Sequence, residues 1–338
     1  MTRPRREQIS LSDTPYYHCI SRCVRRAFLC GIDHLTGKNY EHRKAWVVSR
    51  LAELSQVFAI DIAAYVVMSN HLHLVLRVNQ TQALNWSDEE VIERWGTLFS
   101  LPVLIQRHLR GEANSQGEQQ KIKEQLNEWR LRLSSISWFM RGLNEHLARK
   151  ANAEDHCTGQ PPLLLWGEGR FKSQALLDEA AVLSCMSYVD LNPIRAAIAA
   201  TPETSDFTSV QQRIQGLPIT PADDQPIRPR LMPLVRSNRD RHVNAIGYEL
   251  HEYLELVDWA GRQIRDDKRG AIAENVPPIL QRLGLHDEGF LEFVSGKSHP
   301  VKPRVIGRIK RIQQAAKQLE QKFLNGMSLG RQLYLESG

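Results

Sequence analysis

Residues 65–78 read YVVMSNHLHLVLRV. Aliphatic and β-branched residues dominate on both sides of Ser69-Asn70. With the preceding IDIAAYVVM (60–68), the stretch predicts either one long strand or two strands joined as a hairpin. Two imidazoles, His71 and His73, interrupt the apolar run. Strand side chains alternate faces, so both rings point one way with Leu72 behind them. Burying two imidazoles without partners is costly. Two readings follow: a satisfied core pair, or half of a metal site whose remaining ligand comes from elsewhere, neutral imidazole being the commonest side-chain ligand.

Outward from this stretch, PYYHCISRCV (15–24) is short, aromatic and β-branched and predicts a first strand, and HRKAWVVSRLAELSQVF (42–58) a first helix. A polar, helix-prone region follows near 81–135, with a loop expected at GEANSQGEQQ, and 121–151 carries the pattern of one long amphipathic helix. LLLWGEGRFKSQAL (163–176) returns to strand character around a Gly-rich turn. In DEAAVLSCMSYVDLNPIRAA (178–197), Asp178 is placed to cap a helix that Pro193 ends or kinks. Strands and helices in this order suggest an α+β sandwich, an antiparallel sheet with its helices on one face. The expected organisation is a first domain over 1–215, a linker over 216–238 opened by the Pro-rich GLPITPADDQPIRPRLMP, and a small helical domain over 239–338 ending in a basic helix near 307–325.

Of 338 residues, 42% are hydrophobic and 24% charged, the balance of an ordinary globular protein. No apolar run reaches the roughly 20 residues that span a bilayer, and MTRPRREQISLSD lacks the apolar core of a secretory signal. Cysteines 19, 23, 30, 157 and 185 form an odd, scattered set that fits a reducing cytoplasm. Cys19 and Cys23 have no second pair at zinc-finger spacing. The net charge is +6, with its excess in RPRR (3–6), SRCVRR (21–26) and KPRVIGRIKR (302–311). Clustered positive charge suits a polyanion, nucleic acid first, although a solvated basic surface gives the same count.

SCMSYVDLNPIRAAI (184–198) offers the missing ligand. Tyr188 and Asn192 are four apart and share a helix face. The Asn192 amide oxygen could complete a facial site with His71 and His73 while the phenol stands one turn away. The other reading is that Tyr188 packs and Asn192 caps the helix before Pro193. Oxygen ligands such as an amide and a phosphate suit Mg2+ or Mn2+.

Taken together, AYVVMSNHLHLVL, WGEGRFKS and YVDLNPIRAAI resemble the single-tyrosine HUH transposases, namely insertion-sequence transposases acting on single-stranded DNA and REP-associated tyrosine transposases. FMRGLNEHLARKAN also matches the family's wording. The resemblance covers roughly 14–210, interrupted by the insertion near 81–135, and Ser69 stands where the family usually has Pro. It implies a ferredoxin-like HUH core, His71, His73 and Asn192 as metal ligands, and Tyr188 as nucleophile. It also implies metal-dependent cleavage of single-stranded DNA near hairpins through a 5′-phosphotyrosine, followed by rejoining. Tyr16, Tyr17 and Tyr65 are other tyrosines near the sheet, but none has an amide four residues on. A phenol with an ordinary value near 10 is a weak nucleophile at neutral pH and needs help. A site of neutral ligands binds Mg2+ weakly, so DNA phosphate is expected to supply much of the affinity.

Arg170 and Lys172 are expected on phosphates, with Trp166 or Phe171 stacking on unpaired bases. Arg22, Arg25 and Arg26 are further phosphate candidates, and Arg304, Arg308, Lys310 and Arg311 could grip a hairpin or flanking duplex. A hairpin-binding protein without strand transfer is the main alternative. A nucleotide hydrolase with three alternating histidines fits poorly, because Val75 holds the third position. No membrane partner is expected, and monomer and homodimer both stay open.

Overall fold

The histidine stretch folds as a hairpin. β2 (Ile60–Val67) and β3 (His71–Val78) pair antiparallel with Tyr65 opposite Leu74 and Val67 opposite Leu72. The Met68 N–H closes the turn on the His71 carbonyl at 2.9 Å. The computed structural model describes residues 9–22, 30–33, 37–112, 115–156, 171–216, 227–235, 245–265, 280–281, 283–296 and 303–335. β1 (Tyr16–Arg22) takes the other edge of β3, which sets Ile20 opposite His73 and Arg22 opposite His71. β4 (Lys172–Leu176) lies antiparallel on β1, with His18 opposite Gln174, and β5 (Val305–Ile306) runs parallel to β4. The sheet order is β2-β3-β1-β4-β5. The parallel fifth strand, from the C-terminal part of the chain, departs from the expected purely antiparallel sheet.

The α+β class holds, but helices cover both faces of the sheet rather than one. Alternation gives the reason: β3 buries Leu72, Leu74 and Leu76 on one side and His73 and Val75 on the other, so neither side can be left in water. The first side packs with Tyr17 and Cys19 against α1 (Arg43–Val57). On the second, Val66, Val75 and Leu176 meet α7 (Glu179–Asp190).

Between β3 and β4 lie α2 (Gln80–Asn85), α3 (Asp88–Leu98), α4 (Val103–Leu109), α5 (Gln116–Leu133) and α6 (Ile136–Glu154). Their apolar faces extend the α1-side core, with Trp95 and Trp129 stacked at 5.0 Å and nearly parallel. Two elements differ from the pattern expected of the sequence. α5 begins inside the supposed loop, because Ser115 and Glu118 form a reciprocal capping box. The supposed single helix over 121–151 breaks at Ser134-Ser135. The Ser134 hydroxyl donates to the Leu131 carbonyl at 3.1 Å, and the Leu133 carbonyl accepts from Ala59 N–H at 2.9 Å, leaving the helix ladder for the sheet.

After α7 come α8 (Asn192–Arg195) and α9 (Ser209–Gln215). The stretch 227–235 runs beside the β2 edge, where Met232 N–H donates to the Ile62 carbonyl at 2.8 Å and blunts that edge. Further on, α10 (Leu250–Arg265), α11 (Asp287–Ser295) and α13 (Met327–Leu333) complete the α7 side, while α12 (Ile309–Gln318) packs Ile312, Ala315 and Ala316 into the α1-side core. The basic helix expected near 307–325 stops at Gln318, and Glu320 takes a left-handed φ of 51°. One buried carboxylate ties three elements together. Asp190 accepts from the Tyr253 hydroxyl of α10 (2.5 Å), the Ser209 hydroxyl (2.5 Å) and Val210 N–H (3.1 Å) of α9. Burial pushes its carboxyl up to about 6, against the lowering effect of those donors. Among the described residues, no helix is long and apolar enough to cross a membrane.

Candidate active site

α7 delivers Tyr188 to the sheet. The helix starts where Asp178 accepts from Ala181 N–H at 2.9 Å and ends at Asp190, since Pro193 falls in the first turn of α8 and can donate no hydrogen bond. The Asn192 amide nitrogen donates back to the Tyr188 carbonyl at 3.2 Å, so phenol and amide stay on adjacent turns, as their spacing predicts.

The rings that α7 covers form one cluster. His18 of β1 and His73 of β3 stack at 5.1 Å with planes 19° apart. The Tyr188 ring meets both edge-on, 5.9 Å from His18 and 5.8 Å from His73. His71 stands 4.9 Å from His73, also edge-on. His18 and His73 are buried, while His71 and Tyr188 are half-buried at the rim. Strand alternation puts His71 and His73 on one face, and α7 lays Tyr188 against them.

Arg195 gathers the remaining groups. Its guanidinium lies 4.4 Å from the Tyr188 ring centre and donates to the phenol oxygen at 3.2 Å. The same nitrogen donates to the Asn192 amide oxygen, and the other terminal nitrogen to the Val294 carbonyl in the last turn of α11 at 3.4 Å. Phe293 of α11 packs on the Tyr188 ring at 5.6 Å. Gly296 caps α11 with φ +73°, and a Cβ there would come 2.8 Å from an Arg195 terminal nitrogen.

The donor set fits a weakly held divalent ion. His71 shares its Nδ1 with the Asn70 side-chain oxygen at 2.6 Å, and His73 shares its Nδ1 with His18 at 2.9 Å, so each ring is oriented through that nitrogen. Asn192 is buried and its oxygen already accepts from Arg195, but an amide oxygen has two lone pairs and can serve a second partner. Among the described residues, no group of three or more His, Cys, Asp or Glu side chains is placed to hold a metal.

The DNA candidates divide by position. Arg22, opposite His71, and Lys172, opposite Ile20, are exposed on the same sheet face as the histidines. Phe171 is buried in the α1-side core, so it has little face to offer a base. Arg308 donates to the Leu283 carbonyl and lies 5.1 Å from the Tyr334 ring centre, which makes it part of the C-terminal packing. Arg304 is half-buried, with its backbone joined to β4 through Ala175 N–H at 3.0 Å. Lys310 and Arg311 are exposed on α12, but Arg311 borders a cleft with Asp13, Asp178 and Glu179. That cleft is at the start of α7, and Tyr188 lies ~15 Å further along the helix. Arg25, Arg26, Trp166 and Arg170 lie outside the described residues.

Sequence reasoning did not single out His18, Gln174, Arg195 or Phe293. His18 is visible only once the β1–β3 register is known. Arg195 follows Asn192 by three residues, a spacing that could have flagged it.

No family model and no curated protein matches the chain. Among solved structures, that of a REP-associated tyrosine transposase bound to a REP hairpin is similar at 14% identity and a TM-score of 0.35, covering 69% of this chain and 99% of that one.

Proposed function

We propose that this chain is a metal-dependent single-stranded DNA nickase and strand transferase, with Tyr188 as nucleophile and His71, His73 and Asn192 as ligands of Mg2+ or Mn2+. The observation that carries the reading is the placement of the Tyr188 phenol against His73, with Arg195 donating to its oxygen.

Arg195 holds the phenol oxygen at a fixed point and stabilises negative charge as it develops there. Arg22 and Lys172, on the same face, draw the DNA backbone across the histidines. The Tyr188 oxygen forms a bond to phosphorus, the bond from phosphorus to the 3′-oxygen breaks, and the phenol's proton is replaced on that leaving oxygen. The products are a 5′-phosphotyrosyl chain and a free 3′-hydroxyl. A second 3′-hydroxyl reverses the step on a new strand, with no ATP and no water consumed. When bound, the divalent ion supplies Lewis-acid polarisation of the phosphate oxygens. Hairpin-forming single strands are the proposed substrate class, as in the family that the sequence resembles.

End-labelled hairpin DNA incubated with the protein and Mg2+ or Mn2+, then run on a denaturing gel, tests the reading. A protein-linked band lost in Tyr188→Phe and in EDTA is expected. Hairpin binding without any linked band would instead establish a binding protein without strand transfer.

A further inference from the structure

We infer that His18 and Gln174 form a buried relay that fixes His73 as the tautomer protonated on Nδ1, so that its lone pair is on Nε2 for the cation. The metal half of this statement rests on the function proposed above; the tautomer half does not.

A backbone carbonyl can only accept. The Gln174 amide nitrogen donates to the Pro303 carbonyl beside β5, and this orients the amide with its oxygen towards His18. That oxygen lies 3.2 Å from His18 Nδ1, so His18 carries its proton there. A neutral imidazole has one donor nitrogen, which makes His18 Nε2 an acceptor. Nε2 lies 2.9 Å from His73 Nδ1, so His73 must donate from Nδ1. By elimination, Nε2 is the lone-pair nitrogen of His73. His71 reaches the same state by another route, its Nδ1 facing the Asn70 side-chain oxygen at 2.6 Å. Both histidines of the pair then carry the lone pair on the same nitrogen, Nε2.

His18, His73 and Gln174 are each at least nine-tenths buried, so the relay is shielded from exchange of partners with water. The C-terminal region enters the site through it, because Pro303 leads into β5. His18 is thus a positioning residue. It touches no substrate in this scheme and acts by setting the ring state of a ligand.

Histidine labelled with 15N in the metal-free protein gives the first readout, with the His73 resonances assigned by their loss in His73→Gln. The expected spectrum shows His73 protonated on Nδ1. A His73 protonated on Nε2 would overturn the relay and would mean instead that His18 Nε2 and His73 Nδ1 face one cation together. Mn2+ titration followed by electron paramagnetic resonance is the second readout. His18→Leu should weaken Mn2+ binding about tenfold or more and shift His73 away from the Nδ1-protonated form. His18→Gln keeps an acceptor at the Nε2 position and should restore both. Unchanged affinity and unchanged tautomer in His18→Leu would refute the proposal. Wild type that shows the tautomer but binds no Mn2+ would count against the metal-dependent function alone.

Discussion

The Tyr188 and His73 rings meet edge-on, 5.8 Å apart with planes 67° from each other, although they come from a helix and a strand far apart in the chain. Nothing in ordinary core packing calls for a half-buried phenol at the rim of two stacked imidazoles.

Arg195 is the group whose removal should separate chemistry from folding. Arg195→Ala frees the phenol, the Asn192 amide and the end of α11 together. A misplaced reactive group can cost about a hundredfold in rate. The rate of covalent adduct formation should fall by about that factor, while near-ultraviolet circular dichroism stays native. Gly296→Ala should lower the same rate by crowding the arginine, and an unchanged rate in both variants would remove Arg195 from the mechanism.

Arg22 and Lys172 should behave as phosphate contacts. Each exposed cation replaced by Ala is expected to reduce the slope of log binding constant against log salt by about 0.7 for a single strand. Lys310→Ala, on α12, serves as the comparison and should leave adduct formation unchanged. An effect of Lys310 as large as that of Lys172 would place the DNA path elsewhere.

Asp190 should make stability depend on pH. Its carboxyl lies at about 6 in the folded chain against an ordinary 3.8, so the folded state binds the proton more tightly than the unfolded one. The stabilisation is full below pH 4 and is lost as pH rises through about 6. Two units correspond to about 3 kcal/mol. Asp190→Asn keeps acceptors for Ser209 and Val210, so denaturant melts should show wild type losing ground to the variant between pH 4 and 7. Parallel curves would mean that the carboxyl is not held up by burial.

Trp129 anchors the helices inserted between β3 and β4, buried and stacked on Trp95. Trp129→Ala should cost about 3–5 kcal/mol. Adduct formation per folded molecule should stay unchanged, because the cavity opens on the α1 side and the site faces α7. A selective loss of activity at full folding would show that the insertion reaches the reaction.

What the sequence made legible followed from local rules. The first helix and the Asp178 cap depend on residues within a turn of each other, whereas the same local rules left the hairpin open against one long strand and Pro193 open between a stop and a kink. The placement of His71 with His73, and of Tyr188 near Asn192, required only periods of 2 and 3.6. The helices on the second face were not legible, because β3 presents His71, His73, Val75 and Arg77 there, a mostly polar set that does not announce a helical cover. The break at Ser134-Ser135 was hidden by an apolar pattern that continues across it, and its cause is a bond to Ala59, far away in the sequence. β5 is too short to signal itself. His18 meets His73 and Gln174 only through strand register, which no local pattern encodes.

The proposed reaction turns on a covalent bond at one atom, the Tyr188 phenol oxygen. The most direct measurement is mass spectrometry of peptides from protein incubated with hairpin DNA and Mn2+, after nuclease trimming. A nucleotide phosphate mass is expected on the peptide containing Tyr188 and on no other tyrosine peptide. A modified peptide containing Tyr16, Tyr17 or Tyr65, with Tyr188 unmodified, would contradict it.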